Sequence, residues 1–147
     1  MYIRIFTTIV LLVHLGLIIP INAAAESPND ILIIANKRVG INTISIEETK
    51  QIFLRTKTTW RGGDRILCLN QKENDPIRKV FQEKVLGMSE REEATYWEVQ
   101  KVRKQLTPPP EVPSIPKAVF KLKNAISYAY RKDVPANVVK ILLVIPE

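Results

Sequence analysis

The N-terminal apolar segment sets the size of the unit that folds. A short basic start is followed by an apolar stretch over residues 5–21, with a proline near its end and then Ala23-Ala24-Ala25. This order is typical of a cleavable secretory signal peptide, and it predicts removal of residues 1–25. About 120 residues then remain, over 26–147, which is the usual size of one domain. We therefore expect a single exported, periplasmic domain.

Retention of residues 1–25 as a membrane anchor is the alternative. Their apolar run approaches the roughly 20 residues that span a bilayer. The proline and the small residues favour cleavage. After cleavage, no further membrane span is expected.

Charge and cysteine content narrow the possible partners. The chain has 22 Lys and Arg against 15 Asp and Glu. Charges alternate in sign along the predicted helices, which is typical of solvated faces, so no nucleic-acid partner is expected. The single cysteine, Cys68, cannot form an internal disulfide. Its apolar neighbours Ile66, Leu67 and Leu69 favour a buried small side chain over a reactive thiol.

Residue types also argue against catalysis. The only histidine, His14, lies in the predicted signal peptide, so the exported form lacks the commonest general base. Two carboxylate pairs, Glu47-Glu48 and Glu92-Glu93, are adjacent on helices and therefore diverge. One cysteine without histidine offers few soft metal ligands. We expect no enzyme, no catalytic residue, no metal site and no cofactor.

Apolar runs predict four strands. Residues 30–36 form a short continuous apolar stretch, typical of a central strand that is covered on both faces. Further strands are predicted over residues 65–69, 125–130 and 138–144.

Capping residues predict four helices, over residues 46–54, 76–86, 90–105 and from Pro116 to about 122. Ser45 with Glu48, and Ser89 with Glu92, have the spacing of capping boxes. Asp75 before Pro76 is a helix start, and Gly87 is a helix end. The third helix is expected to bury an apolar face made of Tyr96, Trp97, Val99, Val102 and Leu106.

The segment 107–116 contains five prolines and is expected to be a stiff, partly extended surface connection. The predicted order is strand, helix, strand, three helices, strand, strand. This order predicts an α/β fold with a small mixed sheet flanked by helices.

Two stretches carry a resemblance to a known family. The first is Ile46-Glu47-Glu48-Thr49-Lys50-Gln51-Ile52-Phe53-Leu54-Arg55-Thr56-Lys57-Thr58-Thr59-Trp60 with Gly63 and Ile66, and the second is Asn124-Ala125-Ile126-Ser127-Tyr128. They resemble the phosphate-binding subunits of ABC transporters, over about residues 30–144. The resemblance implies a type II periplasmic-binding-protein fold, of which residues 26–147 would form a single lobe.

The resemblance also implies a site. The family's Ser-Gly-Thr at a helix N-terminus falls on Asp75-Pro76-Ile77, and its arginine falls near Asn70 or Gln71. Hydroxyls and free N–H groups at such a helix end bind an anion. Here Asp75 adds a carboxylate, Pro76 lacks an N–H and Ile77 lacks a hydroxyl, so ordinary capping by Asp75 is the alternative. The candidate ligand-binding residues are Thr58, Asn74, Asp75, Ile77 and Arg78.

Two functions remain open at this point. The first is an exported solute-binding-protein-like module that binds a small phosphate-like anion weakly. The second is a module without a ligand that contacts a membrane or periplasmic protein as a sensor input or accessory. Most aromatic residues are expected in the core and its rim. Trp60, in a loop beside Arg61, is the candidate exception, because it could stack on a ligand.

Overall fold

The computed structural model describes residues 25–147, so the predicted signal peptide lies almost entirely outside the described residues. The elements follow the predicted order: β1 Ile31–Ala35, α1 Ile46–Phe53, β2 Leu67–Cys68, α2 Pro76–Phe81, a π-helical turn Gln82–Leu86, α3 Glu90–Lys104, α4 Ile115–Lys121, β3 Ala125–Tyr130, a 3-10 turn Arg131–Asp133 and β4 Lys140–Ile145. Within this part of the chain, no helix is both long enough and apolar enough to cross a bilayer.

Strand β1 lies inside the sheet, as predicted. The strand order is β2-β3-β1-β4. β1 runs antiparallel to β3 and to β4, while β2 runs parallel to β3, so the predicted mixed sheet is confirmed. All five β1 side chains are buried, because both faces of the sheet are covered.

Two cores lie on the two faces of the sheet. Ile31 and Ile33 point into the larger core, which α1, α2 and the π-helical turn cover. Leu32 and Ile34 point into the smaller core, which α4 covers. The alternation along β1 therefore separates two layers of helices.

Three aromatic rings form the centre of the larger core. Phe81 stacks on Tyr128 with centroids 3.7 Å apart and an interplanar angle of 5°. Phe53 lies 4.7 Å from Phe81 and 5.4 Å from Tyr128, tilted against both rings. The Tyr128 hydroxyl donates to Asn70 Oδ1 at 2.7 Å. The contacts among the three rings join α1, α2 and β3.

The helix caps follow the sequence closely, with one exception. Ser89 and Glu92 form the predicted capping box, and Gly87 ends the preceding helix at φ 62°. Ser45 also caps α1, since its side chain accepts from the Glu48 N–H. The Glu48 carboxylate does not return to Ser45, because it pairs with Lys57 nine residues later. The predicted return of the Glu48 side chain to Ser45 was therefore wrong.

The buried face of α3 differs from the predicted one. Trp97 is buried, but Val99 is exposed and Val102 is 85% exposed. Glu93, one turn before Trp97, is buried instead, with an exposed fraction of 4%. The apolar pattern was misleading because only the first half of α3 lies against the domain, and Glu93 has a buried partner there.

The two edge strands, β2 and β4, differ in length or position from the predicted strands. Only Leu67 and Cys68 of the predicted strand 65–69 pair with β3. Arg65, at the start of that segment, pairs with Thr59, and Asn70, just after the segment, pairs with Glu111. The Asn70 N–H donates to the Pro110 carbonyl at 2.8 Å, so the proline segment lies beside the chain just after β2. Strand β4 begins two residues later than predicted.

The aromatic stack predicts a specific loss of stability. Phe81→Leu keeps an apolar side chain of similar size but removes the ring contacts with Tyr128 and Phe53. We expect a loss of about 1–2 kcal/mol in the free energy of unfolding. Urea unfolding measures it, with Val102→Ala as the exposed control. An equal, small effect of both substitutions would contradict a structural role of the stack.

Candidate functional site

The N-terminus of α2 is the predicted anion site, and its N–H groups are already used. The Asp75 carboxylate accepts from the Ile77 N–H at 3.2 Å. Pro76 has no N–H, and the Arg78 N–H donates to the Asp75 carbonyl at 2.9 Å. The first three positions of the helix therefore offer no free donor, because a carboxylate of the chain itself stands where a bound anion would accept.

Thr58 does not join this helix end. Its carbonyl accepts from the Ile66 N–H at 2.8 Å, which places it beside the start of β2. The chain must continue in extended form to Asn70 before the α2 loop begins. At about 3.3 Å per residue, about 13 Å of extended chain lies between Ile66, beside Thr58, and Asn70. Asn74 lies next to the helix and is exposed, while Ile77 is buried in the larger core.

Arg78 points away from the helix end and is 9% exposed. Its Nη1 donates to the Gln71 carbonyl at 3.0 Å, and its Nη2 donates to Glu93 Oε1 at 3.1 Å. Glu111 stands 3.7 Å from Nη1 on the exposed side. The guanidinium is thus neutralised inside the protein and is not free to bind an external anion.

The Glu93 carboxylate is the centre of a buried polar cluster that the sequence did not predict. Besides Arg78, the Trp97 indole donates to Oε1 at 3.1 Å, and the Gln82 side-chain amide donates to Oε2. Gln82 is the first residue of the π-helical turn. We name these four residues, Arg78, Gln82, Glu93 and Trp97, the buried polar cluster. It attaches α3 to α2.

One sequence signal could have identified Glu93. It lies four residues before Trp97, so both side chains share one face of α3. Adjacent Glu92 caps the helix through the Ser89 N–H at 2.7 Å, and this hydrogen bond lowers the pKa of Glu92. The two glutamates diverge as predicted, but Glu93 points inward.

Several carboxylates lie near Asp75. Burial raises the pKa of the Tyr130 phenol, and the charges of Asp75, Glu147 and Asp133 raise it further. Asp30 lies at the same end of the sheet, where Arg131 pairs with it at 3.2 Å. Although burial opposes ionisation, hydrogen bonds from the Ser27 backbone and from Arg131 lower the pKa of Asp30. This end therefore carries several carboxylates together with the cations Arg131 and Lys132.

A groove of about 520 Å³ adjoins the buried polar cluster. The residues that line it come from α2, α3 and the proline segment, among them Lys79, Glu90, Glu93 and Pro108 to Glu111. Four acids line it, Glu73, Glu90, Glu93 and Glu111, against the two bases Arg78 and Lys79. The groove therefore lacks the cluster of cationic side chains that would favour an anion.

The other candidate residues lie in the interior. Trp60 is buried, and its indole donates to the Asn124 carbonyl at 3.2 Å, so the hypothesis of an exposed stacking ring was wrong. Cys68 packs against the larger core, and burial raises the pKa of its thiol. Over residues 25–147, no three His, Cys, Asp or Glu side chains are grouped as metal ligands.

Three solved structures share this fold. A phosphate transport receptor from Vibrio cholerae superposes with a TM-score of 0.61 at 16% identity, over 77% of this chain and 45% of the receptor. A putative phosphate transporter substrate-binding protein with bound phosphate, from Clostridium perfringens, superposes with a TM-score of 0.59 at 21% identity, over 77% of this chain and 44% of that protein. PstS from Borrelia burgdorferi superposes with a TM-score of 0.59 at 17% identity, over 77% of this chain and 46% of PstS.

These matches confirm the fold class predicted from the resemblance, an α/β unit of the solute-binding-protein kind. The chain spans less than half of the length of each of these three proteins. In sequence, no protein-family model and no curated protein matches the chain.

The buried polar cluster predicts strong coupling between Arg78 and Glu93. Either Arg78→Met or Glu93→Met leaves one buried charge without its partner, and we expect each to cost about 3 kcal/mol. The double variant should cost less than either single variant, because no charge is left unpaired. Urea unfolding of all four proteins measures the coupling. Additive losses would contradict it. Glu26→Gln, which breaks an exposed pair with Arg131, is the control and should change little.

Proposed function

We propose that this protein is an exported module with the solute-binding-protein fold that acts by contact with a partner protein, not by holding a free anion. The observation that supports it most is the Asp75 carboxylate, which occupies the N-terminus of α2 and accepts from the Ile77 N–H. Export rests on the predicted signal peptide. This function is non-catalytic.

Charge opposes anion binding at this helix end. A phosphate that approached Ile77 would meet Asp75 directly, with Asp133 and Glu147 nearby. Arg78 could offset them only by leaving Glu93, and this would leave a carboxylate unpaired in a buried position. Breaking such a pair costs several kcal/mol, which a single exposed anion contact does not return.

The outer edge of β4 is the surface that fits a protein partner best. No strand in the described part of the chain pairs with this edge, but the loop before α1 bonds to β4 at one point, where the Ile44 N–H donates to the Leu142 carbonyl at 3.2 Å. Ile141 and Val144 are exposed on the same strand. The ammonium group of Lys140 donates to carbonyls of that loop. An extended segment of a membrane or periplasmic protein could add to the sheet here.

Weak anion binding is the second candidate function. The observation that favours it is the shared fold, since the Clostridium perfringens protein holds phosphate in its structure. For this chain, Asn74, Asp75 and Arg78 would be the contributing residues near α2.

A thermal shift titration distinguishes the two functions. We expect no stabilisation by millimolar phosphate or sulfate, because the helix end is filled by Asp75. Asp75→Ser keeps a capping residue and removes the carboxylate, so a phosphate-dependent rise in Tm should appear in this variant only. Asp64→Ser, which removes one acid at the opposite end of the sheet, is the matched control. Stabilisation of the unaltered protein by about 2.7 kcal/mol, as expected at 100 Kd, would contradict the proposal.

Site-specific photo-crosslinking in exporting cells tests the β4 edge. A photoreactive residue in place of Ile141 or Val144 should give a protein adduct of one defined mass. The same residue in place of Val102, which is apolar and more exposed, should not. Adducts at all three positions, or at none, would count against a contact through β4.

A further inference from the structure

A second charged surface lies at the end of the sheet opposite Asp30 and Asp75. Lys37 and Arg38 follow β1, Lys121 is the last residue of α4, and Lys123 precedes β3. All four side chains are exposed, and none forms a salt bridge with an acid of the described residues. We name these four residues, together with Phe120 and Leu122, the basic end.

Hydrogen bonds hold the basic end together. The Asn36 side-chain amide donates to the carbonyls of Val119 at 2.9 Å and Phe120 at 2.8 Å. This fixes the end of β1 against the C-terminus of α4, because the amide fills two carbonyls that the helix leaves unpaired. A shallow pocket of about 310 Å³ results, and Lys37, Arg38, Phe120 and Lys121 are among the residues that line it.

Acidic residues are absent from both segments that build this surface. Neither residues 31–46 nor residues 112–132 contain an Asp or a Glu. The cations of the basic end therefore have no counter-charge on their own elements, in contrast to the alternating charges along α3. One acid of a neighbouring loop, Asp64, lines a pocket together with Arg38. With four cations against this one acid, the surface keeps a net positive charge.

Two large apolar side chains stand among these cations. Phe120 is 56% exposed and Leu122 is 41% exposed. They lie on either side of Lys121, so aromatic, cationic and aliphatic groups alternate at the end of α4. An apolar side chain and an aromatic one are therefore available to a partner at the same place as the cations.

We propose that the basic end docks on a membrane surface that contains anionic phospholipid. Phe120 and Leu122 enter the headgroup region, and the four cations contact lipid phosphates. This combination is the one that binds at bilayer interfaces, where apolar side chains and cations act on different layers of the same surface. A folded acidic partner fits less well, because the two apolar side chains protrude singly and do not form a flat patch. The inference does not depend on the contact at β4.

Vesicle sedimentation with the purified exported protein tests the proposal. Vesicles of phosphatidylcholine with one quarter phosphatidylglycerol should bind the protein, whereas pure phosphatidylcholine vesicles should not. Raising the salt concentration from about 0.1 M to 0.5 M should weaken binding, because it screens the cations.

Matched variants locate the binding surface. Lys37→Gln/Lys121→Gln/Lys123→Gln should lower partitioning about 100-fold, at roughly a factor of five per cation. Lys72→Gln/Lys79→Gln/Arg91→Gln removes the same charge from the side of α2 and α3 and should lower it far less. Phe120→Ser, which keeps the charge, should lower it about tenfold. Circular dichroism checks that each variant is folded.

Three results would overturn the proposal: no binding to anionic vesicles, equal losses in the two triple variants, or full binding by Phe120→Ser. Retention of the protein on immobilised polyglutamate without vesicle binding would assign the basic end to an acidic protein, and would overturn it as well.

Discussion

The burial of β1 on both faces is the constraint on which the rest of the fold depends. A strand with two apolar faces needs a layer of helices on each side, and the chain supplies α1 and α2 on one and α4 on the other. It also needs paired neighbours on both edges, which β3 and β4 provide. The two ends of β1 then become the two ends of the domain. Asp30 precedes the strand and Lys37 follows it, so charged groups of both ends are attached to one buried element.

Local signals were sufficient to predict most elements. Ser45, Asp75, Ser89 and Gly87 act on backbone groups within three or four residues, so the sequence around each of them contains the whole interaction. The continuous apolar run of β1 was equally clear. Burial of Glu93 could not be predicted in the same way, because its partner Arg78 lies on another helix. The exposure of Val99 and Val102 has the same origin, since the packing of α3 depends on distant elements and not on its own pattern.

Asp75 determines the electrostatics of the helix end at which the resemblance predicts an anion site. The α2 end has the helix and the loop that the resemblance implies, yet Asp75 supplies the negative charge from within the chain. The buried polar cluster holds the nearest cation in a similar way, because Glu93 accepts a hydrogen bond from the Arg78 guanidinium. Four other cations, Lys37, Arg38, Lys121 and Lys123, lie at the other end of the sheet beside two exposed apolar side chains.

The position of Cys68 has a consequence for the reactivity of its thiol. Only the thiolate attacks disulfides or is oxidised readily, and burial raises the pKa of this thiol. Cys68 packs against the larger core and lies in β2, which is paired with β3. The paired sheet therefore slows the reaction of this thiol. A faster reaction with a thiol reagent would report the opening of that edge.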